Sequence, residues 1–440
     1  MRKWVPWRLK ISAPTPIDIF FLVFSWSLLA GIFIQWVVLP AMPGLYAGHG
    51  LMKGGDWVWF HNEATKLAEV MRRHGWQAWE LRPYGNAPIG IAAAVYFLAG
   101  ISEPWVLLPI NAAVFALAAV CLHGIFTSLA PRRLAFMATL PFVLFPSAAM
   151  IYGQIHKDVF SIAGMSAVIL VWVKFAGYAK LDWRGVLGRI ALVVAGCLLV
   201  WIVRPYLLQP LMAASLLAAL LVGTMSGRGR GAVWWLGILL CLLVQAGYNK
   251  LPAAPAAPAA PTAPTAPTAS AASAAPAAST YLERAVTRLN VTRAAFVDQY
   301  PNAGSNIDTD VRFGSLADIV SYIPRALQVG LLAPFPSMWL SNGVSPGSGA
   351  MRLISGMETA VSYVLLIGLG PLLYGMKDKR PALLVAILMA VVSILVISLA
   401  VPNVGTLYRM RYGCWQLLNG LGVLGWGLWW QRRLAARGGN

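Results

Sequence analysis

Long apolar runs separated by short polar segments dominate the pattern along this chain. A hydrocarbon core takes about 20 residues per helical crossing, and on that basis the pattern predicts about ten membrane-spanning helices. A shorter apolar run at 88–101 is predicted to form an interfacial helix. The pattern therefore indicates an all-α polytopic membrane protein. The predicted spans are 17–40, 105–130, 134–152, 158–176, 188–204, 206–225, 232–248, 353–376, 381–401 and 413–431.

The composition agrees with this fold class, because 59% of the 440 residues are hydrophobic and only 11% are charged. The formal charge of +19 does not indicate nucleic-acid binding, since the Lys and Arg residues cluster in short loops between apolar runs. Every predicted inside segment is basic, beginning with residues 1–10. We therefore expect a multi-pass protein of the bacterial inner membrane with both termini in the cytoplasm.

Two long segments are expected on the periplasmic side, and they set the domain organisation. A tract rich in Pro, Ala and Thr cannot bury a core and is predicted to be a disordered tether. Beyond it, Pro324, Pro334 and Pro336 are expected to break an apolar segment, which is then a bent interfacial or re-entrant segment. The predicted parts are a transmembrane module at 1–248 with its periplasmic loop at 41–104, the tether at 249–280, a second periplasmic loop at 281–352, and C-terminal helices at 353–440.

An amphipathic helix is expected in the first periplasmic loop. Its polar positions, Lys66, Glu69 and Arg73, fall mostly away from the apolar face. Such a helix is expected to lie along the membrane surface. The apolar positions at helical spacing are Trp57, Phe60, Ala64, Leu67, Ala68 and Met71.

The predicted topology gathers a few carboxylates and many cations at the periplasmic ends of the helices. Ionisable groups near a membrane are costly and usually functional. Transfer of a sugar from a lipid phosphate needs a carboxylate to accept the acceptor's proton and cations to hold the leaving phosphate. The candidate site residues are Asp56, His61, Glu63, His156, Lys157, Asp158, Arg204, Arg325, Arg409 and Arg411.

Three segments of the sequence resemble the GT-C superfamily of integral-membrane glycosyltransferases, which use polyprenyl-phosphate-linked sugars, and in particular its bacterial enzymes of families 39 and 83. The resemblance extends over roughly residues 1–210. The segments are GDWVWFHNEATKLAE at 55–69, NAPIGIAAAVYFLAG at 86–100 and PSAAMIYGQIHKDVF at 146–160.

The resemblance implies roles for four of the candidate residues. Asp56 would be the catalytic base, Asp158 would support or orient the site, and Lys157 and Arg204 would contact phosphate. The superfamily usually has an acidic pair in the first loop, whereas here a tryptophan follows Asp56. The division of labour between Asp56 and Glu63 therefore stays open, as does any dependence on a divalent metal.

Simpler structural roles compete with these assignments. Asp56 is also suited to cap the helix that follows it, and His156 to Asp158 to form an ion pair at the start of a span. Arg204 is also placed to extend its charge to lipid headgroups. No HxxxH or HxxE spacing supports a metal site, and no cofactor is predicted.

The expected partners are a polyprenyl-phosphate-linked sugar donor, a glycan or lipid acceptor and membrane lipids. The alternative enzyme is a polymerase or ligase of surface-polysaccharide repeat units, which need not depend on one first-loop acid. An alternative of another class is a lipid-linked glycan transporter, for which internal repeats and interrupted spans are expected. A structural scaffold is the remaining interpretation.

Overall fold

The computed structural model of this protein describes residues 13–177, 183–225, 281–299, 301, 303–340, 348–376 and 379–438. This part of the chain is mostly helical, with one short antiparallel hairpin formed by β1 (Tyr46–Gly48) and β2 (Leu51–Met52). The predicted all-α fold class is confirmed. The predicted span at 232–248 and the predicted tether at 249–280 lie outside the described residues.

The helices of the first half follow the predicted order closely. A π-helical turn at Ile34–Val38 extends the first of them, and a 3-10 turn at Pro205–Leu207 precedes the last. The helices are α1 (Pro16–Phe33), α2 (Trp57–His74), α3 (Ala87–Ala99), α4 (Leu108–Leu129), α5 (Arg132–Leu144), α6 (Ala148–Gly153), α7 (Asp158–Gly177), α8 (Trp183–Val203) and α9 (Leu208–Met225).

The described helices of the second half alternate between long helices and short ones. They are α10 (Tyr281–Gln299), α11 (Leu316–Leu332), α12 (Pro336–Trp339), α13 (Ser348–Ile367), α14 (Leu369–Gly375), α15 (Arg380–Ala400), α16 (Val404–Met410) and α17 (Tyr412–Gly438).

Within the described residues, seven helical stretches are long and apolar enough to cross a membrane. Each of them matches one of the predicted spans to within a few residues. The chain is thus confirmed as a multi-pass membrane protein. The stretches are Pro16–Val38, Pro104–Leu129, Asp158–Gly177, Trp183–Val203, Pro205–Met225, Gly349–Gly375 and Arg380–Ala400.

Two predicted spans take a different form. The span predicted at 134–152 is not one crossing helix, because α5 ends at Leu144 and α6 begins only at Ala148. Phe145 adopts an extended conformation, with φ −63° and ψ 129°, as expected for a residue that precedes a proline. The span predicted at 413–431 lies within the 27-residue helix α17, but polar Gln416 and Asn419 lower its apolar character.

The segment at 41–104, which was predicted to be the first periplasmic loop, folds into a small compact unit with its own apolar core. Trp57, Phe60, Ala64, Ala68 and Met71 of α2 are all buried there, which confirms the predicted amphipathic pattern. This face packs against α3 and the hairpin, so protein rather than lipid covers it. With 13 residues, α3 is too short to cross a membrane.

The segment around Pro324 is a continuous helix, which corrects the predicted break there. Pro324 lies inside α11, where it removes one backbone donor. The carbonyl that loses this donor belongs to Val320, which is 56% exposed, so the loss falls on an open face. A capping box formed by Ser315 and Asp318 fixes the start of the helix. The chain bends instead after Leu332, before the short α12.

A close approach of two glycines holds α7 against α8. A Cβ atom at Gly164 would lie only 2.4 Å from the carbonyl oxygen of Gly196, and one at Gly196 would lie 2.7 Å from the carbonyl oxygen of Gly164. Side chains at these positions would force the helices apart. The two helices run in opposite directions, so the first residue of α7 lies beside the last residues of α8. We call this end of the bundle the site end.

Candidate functional site

The site is built around Asp158, the first residue of α7, which is fully buried. Its Oδ1 accepts a hydrogen bond from Nη2 of Arg204 at 2.5 Å, just beyond the end of α8. Its Oδ2 lies 2.8 Å from Nδ1 of His156. The guanidinium of Arg204 also donates to the hydroxyl of Tyr206. The structure thus brings His156, Asp158 and Arg204 together at one end of the bundle, where the sequence placed them; Tyr206 was not predicted.

Arg204 is held in a fixed charged state by its surroundings. Burial lowers its pKa, but the Asp158 carboxylate more than offsets burial and the net effect is a raised pKa. Its Nε is buried and has no acceptor among the described residues. A buried donor without a partner costs free energy, so this atom is suited to meet an oxygen of a bound anion.

A second cation reaches the cluster from the C-terminal half of the chain. Arg409, on α16, is partly buried and its Nη1 lies 3.0 Å from Nε2 of His156. The ring of Trp57 lies against the other side of the cluster, 5.7 Å from the His156 ring. The site therefore joins α2, α7, α8 and α16.

Lys157 supplies the third cation. Its side chain is buried, donates to Oδ1 of Asn86 at 2.5 Å, and lies 5.3 Å above the ring of Phe60. Burial and, to a smaller extent, the charge of Arg204 lower the pKa of Lys157, whereas Asp56 and Asp158 oppose the change; the net pKa is about 8. At neutral pH the lysine is mainly charged, yet it readily loses its proton.

Asp56 lies at the start of α2, close enough to Lys157 to act on its charge. Its backbone has helical φ and ψ, and its side chain makes no capping hydrogen bond. It is partly buried, and within the described residues its carboxylate has no hydrogen-bond or ion-pair partner. The structural alternative of an N-cap is therefore not supported, and the carboxylate remains open to a substrate.

Hydrogen bonds between side-chain amides and backbone groups hold the segment that carries His156 and Lys157. The side chain of Gln35 donates to the carbonyl of Gly153 at 2.8 Å, and Asn111 donates to the carbonyl of Gln154 at 2.9 Å. Gln154 in turn accepts from the backbone N–H of Met52 at 3.1 Å. These buried amides fix the segment between α6 and α7, and sequence analysis did not identify them.

Arg82 has a similar supporting role for Arg204. Its Nε donates to the carbonyl of Ile202 at 3.1 Å, its Nη2 donates to that of Trp201, and its guanidinium stacks on the Trp201 ring at 4.0 Å. These are the last carbonyls of α8, which lack partners within the helix. A cation at a helix C-terminus is also electrostatically favourable. Arg82 thus fixes the helix end from which Arg204 extends.

Arg411 makes its contacts away from the cluster. It is fully buried and donates to the carbonyls of Val329, Gly330 and Ala333 at the end of α11. Its guanidinium also lies 4.6 Å from the Trp415 ring. These contacts support a structural role for Arg411, in contrast to the adjacent Arg409.

Three further candidate residues make their described contacts outside the cluster. Arg325 pairs with Asp308 at 2.9 Å. His61 contacts the hydroxyl of Tyr96 through Nδ1 at 2.9 Å, within the small compact unit that contains α2 and α3. Glu63 pairs with Lys66 at 2.7 Å. None of these contacts joins them to Asp158.

Glu358 is a buried carboxylate that sequence analysis missed. It lies on α13 and accepts from the backbone N–H of Ser147 at 2.6 Å and from the hydroxyl of Tyr408. It therefore links the bend between α5 and α6 to α16, the helix that carries Arg409. Its position inside an apolar helix was the available signal, because acids in spans are rare.

The described residues include no group of three or more His, Cys, Asp and Glu side chains placed to hold a metal ion. Asp158 directs one oxygen to a guanidinium and the other to an imidazole. The charged groups that converge here are thus mainly cations, which suits an anionic ligand.

No protein-family model and no curated protein matches this sequence. In fold, the chain is similar to the crystal structure of the oligosaccharyltransferase of the archaeon Archaeoglobus fulgidus in its apo form. The TM-score is 0.50 at 12% sequence identity, and the match covers 95% of this chain and 51% of that one. A structure of the same organism's oligosaccharyltransferase AglB, in complex with an inhibitory peptide and a dolichol-phosphate, matches with a TM-score of 0.42, 12% identity and the same coverage.

The fold of this chain is thus similar to that of the apo oligosaccharyltransferase, which is itself a GT-C membrane glycosyltransferase. The resemblance drawn from the three sequence segments is confirmed at this level. The chain spans about half the length of the solved structures that it matches.

Proposed function

We propose that this protein is a glycosyltransferase that moves a sugar from a polyprenyl-phosphate or polyprenyl-diphosphate carrier to a glycan or lipid acceptor. The proposal assigns the reaction to the periplasmic face of a bacterial inner membrane. The observation that carries it is the cluster of Lys157, Arg204 and Arg409 beside the carboxylate of Asp56, which has no hydrogen-bond or ion-pair partner among the described residues. The shared fold with a GT-C oligosaccharyltransferase supports the reaction class.

The cations provide the phosphate subsite. Counted as formal charges, the three cations exceed Asp158 and Asp56 by one, so a phosphate group is electrostatically favoured. The buried Nε of Arg204 has no protein acceptor among the described residues. Of the guanidinium nitrogens of Arg409, Nη1 alone contacts an acceptor among these residues, the Nε2 of His156. Guanidinium groups bind phosphate through paired hydrogen bonds, and the lysine adds a compact charge.

The chemistry follows from the position of Asp56. Its carboxylate takes the proton of the acceptor hydroxyl while the hydroxyl oxygen forms a bond to the anomeric carbon of the sugar. The bond from that carbon to the phosphate oxygen breaks, and the electron pair remains on the phosphate. Lys157, Arg204 and Arg409 stabilise the negative charge that develops there. Asp158 orients Arg204.

Asp56 is preferred to Glu63 as the base. Glu63 is paired with Lys66 on α2, whereas the carboxylate of Asp56 has no such partner among the described residues. Asp56 is also one of the two acids whose charge acts on Lys157, the other being Asp158. The acceptor oxygen must approach the sugar carbon next to the phosphate, so the base must lie beside the phosphate subsite.

Mass spectrometry of polyprenyl-linked glycans tests the proposal in host cells that lack this protein. The cells are complemented with wild type, with Asp56→Asn or with Glu69→Gln, at matched membrane levels. Glu69 is an exposed acid on the same helix and serves as the matched control. Wild type and Glu69→Gln should restore the mature glycan, whereas Asp56→Asn should accumulate the polyprenyl-linked precursor.

Full rescue by Asp56→Asn would overturn the assignment of the base. The polymerase, transporter and scaffold interpretations would then account better for the phenotype.

A further inference from the structure

His156 lies between the carboxylate of Asp158 and the guanidinium of Arg409, and these two contacts determine which ring nitrogen carries the proton. Nδ1 is 2.8 Å from Oδ2 of Asp158, and Nε2 is 3.0 Å from Nη1 of Arg409. The ring is buried, with Trp57 packed against it. Both ring nitrogens are thus committed to charged neighbours.

The donor and acceptor roles follow from the chemistry of arginine. A guanidinium is always protonated and has only donors, so Nε2 of His156 must offer its lone pair to Arg409. A neutral imidazole carries one proton, which therefore lies on Nδ1 and is donated to the Asp158 carboxylate. The backbone N–H of Asp158, 3.2 Å from Nδ1, then has no lone pair there to meet.

We infer that His156 is a positioning residue whose neutral Nδ1–H form holds Arg409 over the donor phosphate. Protonation of Nε2 would place an N–H against the N–H of Arg409 and release that guanidinium from the site. The catalytic consequence rests on the proposed function, whereas the tautomer of His156 does not.

The surrounding charges favour the neutral ring. Burial lowers the pKa of His156, Asp158 at the start of α7 opposes this, and Arg409 on α16 and Arg204 after α8 lower the pKa further. Lys157, the adjacent residue, is another cation on the same segment. The ring is consequently neutral at pH 7 and gains its proton only below the usual value of 6.5.

The backbone of α16 has its own anchors, so loss of the His156 contact should affect mainly the side chain of Arg409. Asn403 caps the helix by accepting from the N–H of Thr406 at 3.0 Å. Tyr408 donates to Glu358. His156→Gln should therefore fold, and its effect should be local.

The test is nitrogen NMR of the full-length protein in lipid nanodiscs, with ¹⁵N-labelled histidine, from pH 5 to pH 8. The chain has five histidines, and loss of one signal in His156→Gln assigns it. We expect Nδ1–H at pH 7 and a change of the His156 signal in Arg409→Met, which provides a second assignment if His156→Gln does not fold. A proton on Nε2 or an imidazolium at pH 7 would overturn the inference.

Transfer kinetics give the second readout. His156→Gln and Arg409→Met should each raise KM for the donor about tenfold, the effect of losing one hydrogen bond to a charged group, with a smaller change in kcat. The double variant should lose no more than either single variant. His156→Gln should also move the fall in kcat/KM to lower pH, because only protonation of the Asp56 base then remains to cause it. Additive losses or an acid limb at the same pH as in the wild type would contradict the inference, and absence of transfer with every donor would instead count against the proposed function.

Discussion

Asp158→Asn is the most informative test of how the site is held together. Among the described residues, Asp158 is the only acid that contacts the buried guanidinium of Arg204, with the atoms 2.5 Å apart. Asparagine has nearly the same shape but no charge, so the variant leaves a buried cation without its counter-ion. Breaking a buried ion pair by removal of one partner costs about 3–5 kcal/mol.

A double-mutant cycle separates this pairing from general damage to the fold. Arg204→Met removes the cation, and the combined variant has neither charge. Its loss of stability should be smaller than the sum of the two single losses, by about 2 kcal/mol or more, because neither charge is then buried alone. Asp310→Asn, at an exposed acid, provides the matched control and should change stability by less than about 0.5 kcal/mol.

The assay is thermal unfolding of the purified protein in detergent. The readout is the fraction of protein that remains monodisperse after heating to each temperature. Asp158→Asn should unfold at clearly lower temperature than Asp310→Asn. Equal unfolding temperatures for these two variants, or strictly additive losses in the cycle, would refute the account of a buried ion pair at the centre of the site.

Three other substitutions test separate parts of the site. Deprotonation of Lys157 removes a phosphate-binding charge, so kcat/KM of the wild type should fall as pH rises through about 8. Lys157→Arg should abolish that fall in a pH–rate profile. Gly164→Val should separate α7 from α8 and destabilise the protein by more than about 2 kcal/mol, measured by thermal unfolding against Gly188→Val, whose site is open. Arg82→Ala should lower stability by about 1.5–3 kcal/mol, and Arg82→Lys should recover part of it; no difference between the two would contradict the helix-end role.

The helical pattern was largely predictable because a bilayer permits few backbone solutions. The apolar spacing of α2 and the bounds of seven spans were predicted from the sequence. The break at Pro146 was not, since the apolar run continues through it. Conversely, Pro324 does not break α11, because the exposed carbonyl at Val320 tolerates the missing donor.

The site was predictable in outline and not in its pairings. Topology brought Asp158 and Arg204 to one end of the bundle, but which arginine meets which acid depends on the helix contact at Gly164 and on the path of the first loop. Arg204 and Arg411 look alike in sequence, at the ends of apolar runs. The structure shows that one pairs with a carboxylate and the other satisfies the carbonyls of α11.

The division of roles between base and phosphate ligands is the central claim, and one paired measurement tests it. Native mass spectrometry would record binding of a polyprenyl phosphate to the purified protein, alongside sugar transfer by the same preparations from a panel of polyprenyl-phosphate hexoses. The account predicts that Asp56→Asn retains binding and loses transfer, whereas Lys157→Met loses both. Loss of binding in Asp56→Asn, or transfer at the wild-type rate by that variant, would contradict it.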